Sequence, residues 1–353
     1  MLVIDTESRH LSADEAYEII HSLTLQALEA GIRKIYKKTD SGLRGNVGAE
    51  LKAVLDATGA ERLEFVPAWP KMHRTTRDGI HYVNGLPLSE SIFSKDVIDP
   101  VTESHIDALI HQQADVKVTL HGQSEKEEGI VVYDCTEDQQ LEAISRCLAE
   151  TERELFVYAG CSGLLEKMPR VSEKKKRAHR TVRLPQKLMV LSGSMNEITA
   201  RQLQSAQDGG SNRVHAPMDK IAAGTWCERE IEEFCSDFLR KAGTPVAIID
   251  TMGEIGSCSL NGSDLARQIA DYMGRISGEL LKEDMDRTLM IIGGDTLQGF
   301  IRELGITSLQ PVREIASGIV LAKYSYRRKV HYLITKSGGF GTDNQLIEIQ
   351  QGL

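Results

Sequence analysis

The densest group of reactive side chains in the sequence lies in residues 37–48, which read KKTDSGLRGNVG. Within a few positions this string holds cations, a carboxylate and hydroxyl groups, on Lys38, Thr39, Asp40, Ser41 and Arg44. An arginine binds a carboxylate as a planar fork, and Asp and Ser can hold hydroxyl groups, so the set suits a small polyhydroxylated anion. A capped helix, with Asp40 or Ser41 as its N-cap and solvated cations, explains the same residues, and the string alone leaves both interpretations open.

Further cations stand outside this string. Arg9 follows the first apolar run, and Arg74 and Arg77 lie in a long polar segment. Lys and Arg total 42 against 51 Asp and Glu, a formal charge of −9, so an anionic ligand needs a local cationic patch. Each cation alone is typical of a protein surface. Together they predict an anion site formed by Arg9, Lys38, Arg44, Arg74 and Arg77.

Three loops of small residues follow predicted strands in the second half of the chain. They are residues 192–196 (SGSMN), 293–296 (GGDT) and 336–341 (KSGGFG). The carboxyl ends of parallel strands meet at one edge of a sheet, which is where ligands bind. Backbone N–H groups and helix N-termini there can hold phosphate oxygens, and glycine permits their close approach. Helix capping explains any single loop, whereas three converging loops indicate a phosphate site.

Several common signatures are absent from the sequence. It has no Gly-x-x-x-x-Gly-Lys-[Ser/Thr] loop, and residues 339–341 continue into TDN rather than completing Gly-x-Gly-x-x-Gly. His-Glu-x-x-His and Gly-x-Ser-x-Gly are also missing, which argues against a zinc protease and an α/β-hydrolase. A nicotinamide-dependent dehydrogenase is therefore only a remote alternative.

Hydrophobic periodicity predicts the elements that position these residues. In the first half it indicates strands at residues 2–4, 34–38, 63–66, 116–120, 129–133 and 155–158, and helices at 12–30, 43–57 and 137–149. Residues 67–100 are too long for a simple connection and predict a functional loop or hairpin. In the second half it indicates strands at residues 187–191, 246–249, 288–292 and 331–334, and helices at 197–206 and 297–304. The predicted fold class is α/β, with two domains, each a mainly parallel sheet flanked by helices.

A charge run at residues 173–183 separates the two halves. A nucleic-acid patch is one interpretation, but a solvated linker suits a net acidic chain better. The position of the charge run predicts one domain over residues 1–180 and a second over residues 187–353. A hinge near residues 180–186 would let the two domains close on the substrates. The balance of 41% hydrophobic and 26% charged residues, the scattered cysteines and the lack of a signal peptide predict a cytoplasmic protein that binds neither nucleic acid nor membrane. The sequence leaves a homodimer open.

Several strings together resemble the four-carbon acid sugar kinase family. They are residues 38–41 (KTDS), 43–51 (LRGNVGAEL), 67–70 (PAWP), 74–83 (RTTRDGIHYV) and 100–104 (PVTES), with the GGDT and KSGGFG loops. The resemblance covers essentially the whole chain. It implies an ATP-dependent kinase that phosphorylates the terminal hydroxyl of a tetronate, with the sugar acid in the N-terminal domain and the nucleotide in the C-terminal domain. Residues 74–81 look closest to members acting on D-threonate, ahead of D-erythronate or a 3-oxo-tetronate.

The resemblance also implies roles for individual residues. The acid sugar would be held by Arg9, Lys38, Thr39, Asp40, Ser41, Arg44 and Arg74. ATP, with Mg²⁺ bridging its phosphates, would be held by Ser192 or Ser194, Gly293, Gly294, Asp295, Thr296 and Gly338. Asp40 is the candidate to orient or deprotonate the attacking hydroxyl, and Lys38 is a possible further catalytic cation. No residue is assigned as a metal ligand.

The sequence departs from the family pattern at two places. Met195 and Asn196 replace a Cys-Ser pair, and no Asp-Asp-x-Thr-Gly string precedes residues 6–9 (TESR). Family members carry that acidic string near the sugar site. A shortened chain that binds nucleotide or sugar acid without catalysis is therefore the alternative to an active kinase.

Overall fold

The chain divides into two units, Met1–Lys174 and Lys175–Leu353, each built on its own sheet. The computed structural model describes residues 1–96, 99–151, 154–168, 182–253, 262–282 and 286–353. Residues 173–181 of the charge run, and with them the start of the predicted hinge at 180–186, lie outside the described residues. Both units combine mainly parallel sheets with flanking helices, which confirms the predicted fold class. No described helix has both the length and the apolar character that a bilayer crossing requires.

The first unit contains a five-stranded parallel sheet and a smaller antiparallel one. Its strands are β1 (Lys34–Lys38), β2 (Arg62–Val66), β3 (Arg74–Arg77), β4 (Ile80–Val83), β5 (Leu86–Pro87), β6 (Val118–Leu120), β7 (Gly129–Val132) and β8 (Phe156–Gly160). Its helices are α1 (Ala13–Glu29), α2 (Val47–Thr58), α3 (Ile106–His111), α4 (Asp138–Glu150) and α5 (Ser162–Lys167). The parallel sheet has the order β1-β8-β2-β7-β6. The KTDSGLR string begins at Lys38, the last residue of β1, and continues from the carboxyl end of that strand.

The predicted strand at residues 2–4 is wrong. Leu2, Val3 and Ile4 are exposed, and no described strand pairs with them. A strand requires a neighbour that accepts and donates backbone hydrogen bonds. An apolar run of three residues signals a preference for burial, but it does not supply that neighbour.

The long segment after β2 folds as the predicted hairpin. Strands β3, β4 and β5 form the small antiparallel sheet. Reciprocal backbone bonds between Thr76 and Cys135 attach it to the chain just beyond β7, with N···O distances of 2.9 and 2.8 Å. The hairpin therefore lies at the carboxyl edge of the parallel sheet, beside the loop that follows β1.

The second unit contains a seven-stranded sheet. Its strands are β9 (Lys187–Ser192), β10 (Asn212–His215), β11 (Val246–Asp250), β12 (Arg287–Ile292), β13 (Gln310–Ala316), β14 (Ile319–Tyr326) and β15 (Lys329–Lys336). Its helices are α6 (Glu197–Asp208), α7 (Met218–Ala223), α8 (Glu228–Lys241), α9 (Gly262–Leu280), α10 (Gly294–Leu304) and α11 (Gln345–Gln351). The order is β10-β11-β9-β12-β15-β14-β13, with β13 and β14 antiparallel to their neighbours and the rest parallel.

Helices cover both faces of this sheet and create a crevice at its edge. Residues of α6 and α11 pack on one face, while those of α7, α8, α9 and α10 pack on the other. The neighbouring strands β9 and β12 therefore lead into helices on opposite faces, α6 and α10. Where adjacent parallel strands diverge in this way, their carboxyl ends form the usual ligand crevice of an α/β sheet.

Candidate functional site

In the first unit, a carboxylate holds two arginines at the carboxyl end of β1. Asp40 Oδ1 accepts from Arg9 Nη2 at 3.1 Å and from Arg44 Nη2 at 3.1 Å. Its Oδ2 accepts from Arg44 Nε at 3.0 Å and from the Gly42 N–H at 3.0 Å. Arg44 also donates to Asp96 Oδ2 at 2.8 Å. Every acceptor position of Asp40 is thus engaged, and the loop after β1 is fixed as a cationic turn rather than a simple helix cap.

The charge state of this pair follows from its contacts. Burial works against the ionised form of Asp40, but the two arginines and the Gly42 N–H outweigh it and lower the pKa of Asp40 from its usual range. The hydrogen bonding that Arg44 donates to Asp40 is the main cause of the raised pKa of Arg44. Asp40 is therefore anionic and Arg44 cationic over the physiological range.

An aromatic ring supports the arginines. The guanidinium carbon of Arg44 lies 4.9 Å from the centre of the Phe93 ring, and that of Arg74 lies 5.5 Å from it. The ring packs on Gly42, where an added Cβ would approach it to 2.6 Å. Cation–ring attraction thus brings Arg74 from the hairpin to the same platform as Arg44.

A buried histidine ties the hairpin to this loop. His81 on β4 is fully buried, with its Nε2 3.1 Å from the carbonyl oxygen of Ser41 and its Nδ1 3.2 Å from Thr76 Oγ1. Because the Ser41 oxygen only accepts, Nε2 carries the proton and Nδ1 accepts from Thr76. Burial lowers the pKa of His81 to about 4, with a further contribution from the Arg74 charge. His81 is therefore a neutral, fixed tie at physiological pH.

The remaining predicted residues of this site have different positions. Lys38 is exposed, and within the described part of the chain it makes no ion pair. Thr39 is buried, and its Oγ1 has no hydrogen-bond partner among the described residues. Arg77 lies over Tyr82, 5.2 Å from the ring centre, and strand alternation points it away from the face that carries Arg74. The structure thus brings together Arg9, Asp40, Arg44 and Arg74, and it leaves Arg77 apart.

In the second unit, the three small-residue loops meet at the crevice between β9 and β12. The Gly193 N–H donates to Thr296 Oγ1 at 3.1 Å, joining the first loop to the second. Thr199 Oγ1 donates to the Gly338 carbonyl at 2.8 Å, joining helix α6 to the third. A Cβ on Gly193 would lie 2.5 Å from Thr296 Oγ1, and one on Gly338 would lie 2.5 Å from Ser194 Oγ. The glycines are therefore required by close packing of the loops.

The two serine candidates of the first loop differ in access. Ser192 is fully buried, and its Oγ has no partner among the described residues. Ser194 is half-buried and contacts the third loop. Helix α10 begins at Gly294, after Gly293 with φ 107°, so Gly294 and the exposed Asp295 form the first turn of that helix at the crevice. Ser194 is the serine that faces this crevice.

A lysine missed by the sequence-based assignment lies beneath the third loop. Lys336 at the end of β15 is only 2% exposed, and its Nζ donates to the carbonyls of Ser337 at 3.0 Å and Gly338 at 3.2 Å. Burial lowers the pKa of Lys336 to about 8. The KSGGFG string contained this residue, but the sequence gives no sign of its burial. The sequence also indicated no role for His81, on the hairpin, or for Phe93, just after it. Both come close to the loop that follows β1 only once the segment after β2 has folded.

The residues at the crevice fit a nucleotide. Crowded glycines, a helix N-terminus and a topological switch point are the features that receive phosphate groups in α/β sheets. Among the described residues, no three His, Cys, Asp or Glu side chains form a metal cluster. Mg²⁺ bound through phosphates needs only one or two carboxylates, and the exposed Asp295 at the crevice meets that requirement.

Comparison with known proteins assigns the two halves separately. Residues 1–168 match the family model of a sugar-binding N-terminal domain, and residues 189–346 match that of a nucleotide-binding C-terminal domain. A D-threonate kinase of Salmonella typhimurium is 27% identical, over 99% of this chain and 87% of its own length. A 3-oxo-tetronate kinase of Actinobacillus succinogenes is 24% identical, over 100% of this chain and 89% of its own.

A solved structure shares the fold. A Haemophilus influenzae protein superposes with a TM-score of 0.72 at 21% identity, covering 98% of this chain and 88% of that one. The paired domain matches span nearly the whole chain in the expected order. The chain belongs to the four-carbon acid sugar kinase family.

Proposed function

We propose that this chain is an ATP-dependent kinase that phosphorylates the terminal hydroxyl of a four-carbon sugar acid. D-threonate is the first candidate, and D-erythronate or a 3-oxo-tetronate comes next. The family assignment and the names of the relatives support this proposal. The observation that carries it is the set of three guanidinium groups, from Arg9, Arg44 and Arg74, gathered around Asp40 and Phe93 in an acidic protein.

In this proposal the arginines receive the carboxylate of the sugar acid. The Arg9 side chain is 41% exposed while one of its nitrogens bonds Asp40, so it keeps donors for a ligand. Lys38, Thr39 and Ser41 supply further polar groups from the same loop. Guanidinium forks give a planar carboxylate two parallel bonds, which both bind and orient it.

The contacts of Asp40 favour a positioning role. Its four acceptor positions are engaged and its pKa is lowered, which makes it a weak proton acceptor. We therefore assign Asp40 to holding Arg9 and Arg44, in place of the expectation that it orients or deprotonates the attacking hydroxyl. Lys38 remains the candidate cation for the transferred group, because it is exposed at the same loop.

The nucleotide belongs to the second unit. Ser194, Gly338 and the turn Gly293, Gly294, Asp295 and Thr296 would hold its phosphates, while Asp295 would approach Mg²⁺. Phosphoryl transfer depends mainly on positioning and on neutralising charge, and bound Mg²⁺ supplies part of that neutralisation. The N–H groups of the first turn of α10 contribute the remainder from a fixed backbone.

The decisive experiment is an assay of ADP release. The chain is incubated with Mg-ATP and a panel of D- and L-threonate, D- and L-erythronate and 3-oxo-tetronates, with glycerate as a three-carbon control. Turnover with one tetronate and none with glycerate supports the proposal and names the substrate. Thermal stabilisation by ATP and a tetronate without any ADP release would replace it with a binding-only protein. The absence of both thermal stabilisation and turnover would overturn the proposal.

A further inference from the structure

Among the residues that the structure describes, the ammonium of Lys336 is buried without a counter-ion. Lys336 is 2% exposed, and the hydrogen bonds that its Nζ donates within the described part of the chain go to the carbonyl oxygens of Ser337 and Gly338. Within the described residues no carboxylate forms an ion pair with it, and burial is the sole cause of its lowered pKa. Burying an unpaired charge is unfavourable, and an apolar side chain of the same length would fit such a position at less cost.

The ammonium also has a donor to spare. A lysine carries three N–H donors, and toward the described residues Lys336 uses two of them. The buried Arg287 provides a contrast, because its guanidinium is distributed over the carbonyls of Leu188, Ala242 and Thr244 near the opposite end of the strands. Lys336 instead lies at the carboxyl end of β15, where its carbonyl accepts from the Gly293 N–H at 3.0 Å.

The position of Lys336 connects it to all parts of the crevice. It bonds the backbone of the KSGGFG loop, its own carbonyl holds the GGDT loop, and the Gly338 oxygen that it contacts also accepts from Thr199 on α6. Strand register places Lys336 in the same row as Ile292 and Ser192, the last residues of β12 and β9. A positive charge at this point faces the only edge at which the glycine loops converge in the described part of this unit.

We propose that Lys336 is a further ligand of the nucleotide phosphates, supplying the ammonium that pairs with their negative charge at the glycine-rich crevice. This inference rests on the proposed nucleotide site. In the free protein the two loop carbonyls hold the ammonium in place, and the third donor is available to a phosphate oxygen. The ligand class is a polyphosphate, because a fixed buried cation gains most from a multiply charged partner.

The test compares ligands that differ in phosphate charge. Binding of adenosine, AMP, ADP and inorganic tripolyphosphate is measured by calorimetry for the wild type, Lys336→Met and Lys336→Gln. The control is Lys329→Met, which removes the same charge from an exposed position at the other end of β15. We expect Lys336→Met to weaken ADP and tripolyphosphate binding by about 10- to 100-fold, AMP less and adenosine least. Lys336→Gln should behave like Met, since it can bond the carbonyls but carries no charge.

Each other outcome counts against the inference. An equal loss for adenosine and ADP would mean that Lys336 only holds the loop in shape. If Lys336→Met binds ADP as the wild type does, or if Lys336→Gln binds ADP fully, the charge of Lys336 does not contribute to nucleotide binding. A wild type that binds neither ADP nor tripolyphosphate would overturn the proposed nucleotide site together with this inference. Circular dichroism of each variant confirms folding, and Lys336→Met should unfold at no lower temperature than the wild type.

Discussion

The imidazole of His81 donates from Nε2 to the carbonyl oxygen of Ser41, 3.1 Å away and forty residues earlier in the chain. One end of this bond is in the hairpin that carries Arg74, and the other is in the loop that carries Asp40 and Arg44. His81 is fully buried and Ser41 is half-buried, so water has little access to the bond. It therefore fixes the distance between the two sources of arginine at the proposed sugar-acid site.

Loss of this bond should weaken sugar-acid binding selectively. Replacing His81 by Leu leaves the half-buried Ser41 carbonyl without this donor, an effect of about 1–3 kcal/mol at most. We expect the KM for the sugar acid to rise roughly tenfold while the KM for ATP stays the same, as measured by ADP release. His81→Gln, whose amide nitrogen can replace Nε2, should recover part of the loss.

A matched control is available for that variant. His111 is exposed and makes a similar bond, from Nε2 to the Val116 carbonyl at 2.9 Å, away from the arginines. His111→Leu should leave both KM values unchanged. If His81→Leu changes only the melting temperature, or raises both KM values equally, His81 does not position the sugar-acid site.

His81 should also make the first unit sensitive to acid. Its pKa is about 4 in the folded chain, because of burial, against about 6.5 when unfolded. Between these values the unfolded chain binds more protons, so the free energy of unfolding falls as the pH drops from about 6.5 to 4. The full effect is roughly 3 kcal/mol, and about 2 kcal/mol of it is reached by pH 5.

The measurement requires a signal from the first unit alone. The chain has two tryptophans, Trp69 in the first unit and Trp226 in the second. In a Trp226→Phe background, Trp69 fluorescence during urea unfolding reports the first unit at pH 7 and pH 5. In the wild type the free energy of unfolding of the first unit should be about 2 kcal/mol lower at pH 5 than at pH 7 because of His81, and most of that difference should disappear in His81→Gln. An unchanged difference would mean that His81 does not resist protonation.

Asp40→Asn distinguishes positioning from proton removal. Asn removes the charge that holds Arg9 and Arg44, so we expect the KM for the sugar acid to rise about tenfold or more, with a smaller fall in kcat. A general base would instead show a kcat loss of about 10² with little change in KM. Asp56→Asn is the control, because Asp56 pairs with Lys52 on the flank of α2. A dominant loss of kcat would restore the catalytic assignment of Asp40.

The sequence predicted the buried strands and the loops best. Continuous apolar runs marked β2, β9 and β12, and small residues after strands marked the crevice in the second unit. Strands β10, β13 and β14 were missed. The sequences of β10 and β13, NRVH and QPVREIA, carry little apolar signal and lie at the edges of the sheet, whereas the apolar start of β14 was overlooked. Residues 2–4 show the reverse failure, an apolar run without a strand partner.

The candidate site was predictable only where it is local in the chain. Asp40 and Arg44 lie four residues apart in one string, so the sequence placed both in the same candidate site. The approach of Phe93 and His81 depends on how the hairpin attaches to the sheet, which no local pattern encodes. The burial of Lys336 was invisible for a related reason: a lysine at a strand end is usually solvated, and only the packed loops exclude water from this one.

Crowding at Gly338 predicts a steric effect on nucleotide binding. An added Cβ would lie 2.5 Å from Ser194 Oγ and 3.3 Å from Asn196 Cβ, so Gly338→Ala must displace the Ser194 side chain or move the first and third loops apart. We expect ADP affinity to fall at least tenfold by calorimetry, with the KM for the sugar acid unchanged. Gly243→Ala is the control, because a Cβ there meets no atom within 4 Å. Equal ADP affinity in both variants would show that the loops tolerate the methyl group and do not form a tight cradle.

Phe93 should contribute to sugar-acid binding through the two arginines that rest on it. Phe93→Leu keeps most of the volume over Gly42 but removes the ring face that attracts Arg44 and Arg74. Cation–ring pairs contribute about 0.5–2 kcal/mol, so we expect the KM for the sugar acid to rise about three- to tenfold, with the KM for ATP unchanged. Phe93→Tyr keeps the ring and should bind normally. The control is Phe156→Leu, at the amino end of β8. It removes a ring whose centre lies 4.6 Å from Lys34 Nζ. If Phe93→Leu and Phe156→Leu behave alike, the ring only fills space and the arginines are held by Asp40 and Asp96 instead.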